Sequence, residues 1–121
     1  MAAGGIRNVT HQAHMKAITN YLEALGWWVC KLAGGMYQRP GLPDLIACKA
    51  GRMIAVEVKT GRGKLSQQQK SELERLAAAG CFAVVVSCVD NLEEMLLTAG
   101  LIDRRYLAPR FGLPSVVPYD T

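Results

Sequence analysis

Apolar residues recur along the chain with two periods, helical and strand-like, and the alternation between them sketches a fold. In "THQAHMKAITNYLEAL" (10–25), Met15, Ile18, Leu22 and Leu25 fall at helical spacing, and Gly26 follows as a stop. "WWVCKL" (27–32) reads as a short strand, and "AGGMYQRPGLP" (33–43) as a Gly/Pro-rich loop of the kind that surrounds sites. "DLIACK" (44–49) and "MIAVEVK" (53–59) are two strands joined across Ala50, Gly51 and Arg52, a hairpin signal. A basic loop, "GRGKL" (61–65), leads into a helix, "SQQQKSELERLAAAG" (66–80), that opens on Ser66 and stops at Gly80. "CFAVVVS" (81–87) is a continuous apolar strand and "NLEEMLLTAG" (91–100) a short helix. From Asp103 onward, Pro109, Pro114 and Pro118 predict an irregular tail. The order α-β-β-β-α-β-α predicts an α/β domain, a mixed sheet flanked by helices, in one unit spanning 1–121.

Composition adds little to that picture and removes several classes from it. A chain of 121 residues with half of them hydrophobic and a fifth charged is an ordinary globular composition. No apolar stretch approaches the ~20 residues that cross a bilayer, and the N-terminus lacks the apolar core of a signal peptide. Cys30, Cys48, Cys81 and Cys88 form no C-x-x-C pair, so they read as reduced structural thiols in a cytoplasmic setting. A net charge of +4 leans toward a polyanionic partner.

The unusual feature is two acids and a lysine inside apolar strands. Side chains alternate along a strand, so Glu57 and Lys59 share one face while Val56 and Val58 take the other. A turn through Ala50-Gly51 sets Asp44 opposite Glu57, and a turn through Gly51-Arg52 sets it opposite Lys59. Either register groups all three side chains, whereas a three-residue loop breaks the grouping. Two carboxylates about 4 Å apart repel by roughly 1 kcal/mol in water and by about 4 at an effective dielectric of 20. Protonation, pairing with Lys59 or a divalent cation relieves that repulsion, and hard oxygen ligands suit Mg²⁺ or Mn²⁺. A solvated strand edge is the plainer alternative. Gln69 likewise has two roles open to it, because Ser66-Gln-Gln-Gln69 is also an S-x-x-Q capping box.

Pro43-Asp44 followed by Glu57-Val58-Lys59 resembles the PD-(D/E)xK nuclease signature. "YLEALGW", the Gly-rich loop before Asp44, and "LSQQQKSELERLAAAG" with its early Gln at Gln69 resemble the VRR-NUC family within that superfamily. The resemblance implies a restriction-endonuclease-like core and a metal-dependent nuclease cutting DNA phosphodiesters. Asp44 and Glu57 would hold Mg²⁺ or Mn²⁺, with the backbone carbonyl of Val58 as a further ligand. Lys59 would orient or help deprotonate the attacking water, and Gln69 would help position the site. The superfamily usually adds a Glu in the first helix, but here no acid precedes Glu23 and the corresponding turn reads "THQAHMK". His11, Gln12 or His14 stands in its place, with His11 a further metal ligand if its imidazole reaches the cation. Otherwise these are surface helix residues.

Arg39, Arg62 and Lys64 bracket the expected site and suit phosphate contacts, which carry little sequence information. Stand-alone members of the family resemble Holliday junction resolvases. That analogy implies a structure-selective endonuclease cutting four-way DNA junctions by symmetric nicking in a bacterial or phage-infected cell. Two nicks need two sites and hence a homodimer, with the first helix, Trp27, Trp28 and the tail as interface elements. A general or flap nuclease, and a silent DNA-binding module of the same fold, are the alternatives.

Overall fold

A computed structural model describes residues 9–32 and 39–103. Residues 1–8, 33–38 and 104–121 lie outside the described residues, and with them part of the Gly/Pro loop and nearly all of the Pro-containing tail. The elements are α1 (His11–Ala24), β1 (Trp28–Lys31), β2 (Leu45–Lys49), β3 (Arg52–Val58), α2 (Gln67–Ala78), β4 (Phe82–Val86) and α3 (Val89–Thr98). This is the predicted order. Two elements start early: β3 at Arg52, which pairs with Lys49 across the turn, and α3 at Val89, because the Leu92 N–H already reaches the Cys88 carbonyl at 3.1 Å.

Sequence chemistry accounts for the element ends. Thr10 caps α1 by accepting from the Ala13 N–H at 3.0 Å. At its other end Gly26, at φ +91°, lets the Gly26 N–H reach Glu23 O and the Trp27 N–H reach Leu22 O. A side chain there would resist the left-handed conformation of this closing motif. The same pair of bonds closes α2 at Gly80 and α3 at Gly100.

The four strands lie in the order β1-β2-β3-β4, antiparallel across the first two pairs and parallel between β3 and β4. A parallel pair needs a crossover, and α2 is that crossover. The hairpin turns through Ala50-Gly51, both at positive φ, with Lys49 opposite Arg52. Such a primed two-residue turn matches the twist of its strands. It selects the first of the two expected registers.

Along β3, Ile54, Val56 and Val58 join Leu45, Ala47 and Val86 in a core closed by Met15, Ile18, Tyr21 and Leu22 of α1 and Leu92 and Leu96 of α3. Glu57 has the opposite parity and faces the side of α2. Trp27 is also in the core, 4% exposed, so it offers no surface to a partner; Trp28, 60% exposed, does. Among the described residues no helix is long and apolar enough to cross a membrane.

Candidate metal and phosphate site

Asp44 sits one residue before β2, with its carbonyl accepting from the Leu32 N–H at 2.8 Å. Leu45 pairs with Val56, so one step further along the ladder Asp44 stands beside Glu57. Asp44 Oδ2 accepts the Val58 N–H at 2.7 Å and lies 3.2 Å from His11 Nε2. The end of β2, the end of β3 and the first turn of α1 therefore converge on one carboxylate.

Glu57 is buried, its side chain only 3% exposed. Its Oε2 accepts from Gln69 Nε2 at 2.8 Å and lies 3.4 Å from Lys59 Nζ. Its Oε1 is buried without a hydrogen-bond partner. Burial pushes the Glu57 carboxyl above its ordinary range and the neighbouring Asp44 charge adds to this, with Lys59 and His11 opposing. An orphaned anionic oxygen is costly unless something positive completes it. Two carboxylates, one of them with a free buried oxygen, fit a hard divalent cation, and Asp44, Glu57 and the Val58 carbonyl are the groups that would hold it. Among the described residues no cluster of three or more His, Cys, Asp and Glu side chains completes an all-side-chain metal site.

The Gln69 side chain makes two sets of contacts at once. Its Oε1 accepts from the Ser66 N–H at 2.9 Å while Ser66 Oγ accepts the Gln69 N–H at 3.1 Å, a complete capping box. The same side chain's Nε2 braces Glu57. A carboxamide can do both because it carries an acceptor and a donor.

Arg39 does not stand free. Its guanidinium bonds to Glu72 of α2, which also takes Arg75 at 3.2 Å, and the Arg39 bond holds the Glu72 carboxyl below its usual range. Arg62 and Lys64 are exposed in the loop after Lys59. Two features escaped the sequence reading. Glu72 lies one turn beyond Gln69, a spacing that puts it on the same helix face. Gly41, at φ +86°, lies so close to α2 that a Cβ there would come 2.6 Å from the Gln68 carbonyl oxygen. Only its place just ahead of Asp44 hints at this.

All four cysteines are free, and burial pushes the Cys81 thiol up, in keeping with an inert structural role.

Comparison with known proteins agrees with this architecture. The VRR-NUC domain family profile matches residues 10–90, which contain every element up to the start of α3. A solved VRR-NUC domain shares 30% identity over 71% of this chain and 92% of its own, with a TM-score of 0.61. A second VRR-NUC domain protein shares 22% over 75% and 88%, also at 0.61. The Holliday junction resolvase Hjc of the hyperthermophile Archaeoglobus fulgidus has the same kind of fold, at 21% identity over 64% and 68% and a TM-score of 0.51. No curated protein matches the chain. From the profile match and from the shared fold, the chain belongs to the VRR-NUC family of nuclease domains.

Proposed function

We propose that the protein is a Mg²⁺- or Mn²⁺-dependent endodeoxyribonuclease acting on branched DNA, with the four-way junction as its substrate and a homodimer as its working form. The observation that carries this reading is the pairing of Asp44 with a buried Glu57 whose Oε1 has no partner, beside the Lys59 ammonium. A divalent cation at these oxygens supplies positive charge against the scissile phosphate.

The chain's own residues have distinct tasks. Lys59, held near Glu57, orients the attacking water and stabilises charge on the phosphate. Gln69 fixes the Glu57 rotamer from the first turn of α2. The Val58 N–H points to Asp44, and in an extended strand a residue's N–H and C=O leave on the same edge, which favours its carbonyl as a ligand. His11 acts as a donor to Asp44 Oδ2, so two donors share that oxygen and the carboxylate is held in one orientation. Arg62 and Lys64 meet phosphates. The junction preference rests on the likeness to Hjc. The exposed Trp28 and Met53 offer apolar surface to a second copy.

The first-helix acid is missing and its position is held by a histidine already engaged with Asp44, which favours a second reading, a silent DNA-binding module of the same fold. Cleavage of labelled four-way junction, flap, duplex and single strand, with Mg²⁺ and then Mn²⁺ and beside Glu57→Ala, decides between them. Paired symmetric nicks in the junction alone, lost in the variant, support the proposal. Cutting of every substrate indicates a general nuclease, and binding without cutting indicates the silent module.

A further inference from the structure

Beside Asp44 the surface opens into a groove of about 550 Å³. His11, Met15 and Lys16 of α1 form one wall, and Lys31 and Leu32 at the end of β1 form the other. His11 and Met15 lie four positions apart on one side of the first two turns of α1, and Lys16, next to Met15, also lines the groove. Lys31 pairs with Leu45, one residue from Asp44, so β1 brings its ammonium to the same end of the sheet. The groove thus has an apolar lining from Met15 and Leu32, two exposed cations, and Asp44 among its lining residues.

Arg39 is engaged by Glu72 and Lys59 by Glu57. Among the described residues Lys16 and Lys31, like Arg62, Lys64 and Lys70, enter no ion pair, and both line the groove that reaches Asp44. Two uncompensated ammonium groups on one groove make a local positive potential that a polyanion relieves. Continuity with Asp44 identifies which polyanion, since a strand whose phosphate reaches the carboxylates must leave the site somewhere.

We infer that the α1–β1 groove is a nucleic-acid track in which Lys16 and Lys31 hold backbone phosphates flanking the scissile one. This rests on the nuclease reading and adds a path for the strand. Contacts of this kind release counterions, so each appears in the salt dependence of binding, about 0.9 in the slope of log K against log salt for duplex.

The test is fluorescence anisotropy of a labelled duplex and a labelled four-way junction in EDTA over a salt series, using the full chain. Wild type, Lys16→Ala, Lys31→Ala, both lysine-to-arginine variants and Lys70→Ala on α2 are compared. Expected is a slope shallower by about 0.9 for each alanine variant, an unchanged slope for the arginine variants and for Lys70→Ala, and unaltered melting throughout. Wild-type binding with slopes that Lys16→Ala and Lys31→Ala leave unchanged overturns the track and spares the nuclease reading. Wild type that binds no DNA in EDTA or with Ca²⁺ in its place overturns both.

Discussion

A carboxylate buried at Glu57, with one oxygen braced by Gln69 and Lys59 and the other unpartnered, works against folding at neutral pH. Its raised folded-state pKa means that the native state binds this proton more tightly than the unfolded chain does. The stability it contributes is therefore full below the unfolded value and lost as pH rises through the folded one. Metal-free Glu57→Gln should melt a few degrees above wild type at pH 7, with the gap closing toward pH 4, as calorimetry would show. Equal melting at pH 7 would mean that the charge is already compensated. On the proposed nuclease reading, Lys59→Ala should lower DNA cleavage by about 10²–10³-fold while leaving binding largely intact, measured as single-turnover rates beside anisotropy. Asp44, Glu57 and Lys59 were legible because acids and a lysine in apolar strands contradict the local pattern. His11 was ambiguous for the opposite reason, since a histidine in a first helical turn fits many surfaces.

The capping of α2 and the bracing of Glu57 pass through one side chain, which joins helix start to site chemistry. Gln69→Ala should lose both, with about 1 kcal/mol of stability. Gln69→Glu keeps a capping-box residue but sets a further carboxylate against Glu57, so cleavage should fall about 10–100-fold and the metal-free protein should melt lower at pH 7. The loop before Asp44 is pinned to the same helix by Gly41 against Gln68 and by Arg39 against Glu72. Gly41→Ala should cost about 2–4 kcal/mol, because the backbone is left-handed and the neighbour is main chain, and urea unfolding would measure it. At the hairpin, Ala50 holds φ +51°, where asparagine is better suited, so Ala50→Asn should add about 0.5–1 kcal/mol. Element order could be read from hydrophobic period, Pro and Gly, all of them local signals. The close approach of Gly41 to α2 could not, because it depends on how a loop meets a helix far along the chain.

For the molecule as a whole, a cation that binds only the folded state raises its stability by mass action, about 2.7 kcal/mol at a hundred times Kd. Mn²⁺ should therefore raise the melting temperature of wild type and leave that of Glu57→Ala unchanged. A flat wild-type response would favour the silent module. The sequence by itself determined the element sequence, the α/β class and the shared strand face of Glu57 and Lys59, because hydrophobic period and alternation along a strand act between near neighbours. Tertiary structure alone decided that the hairpin turns through Ala50-Gly51, that Trp27 is buried, and that Arg39 serves Glu72. It also decided that His11 meets Asp44 and that Lys16 shares a groove with Lys31. The His11–Asp44 and Arg39–Glu72 contacts each join residues 33 positions apart. No local pattern encodes such distances; they are set only when helices and loops pack against the finished sheet.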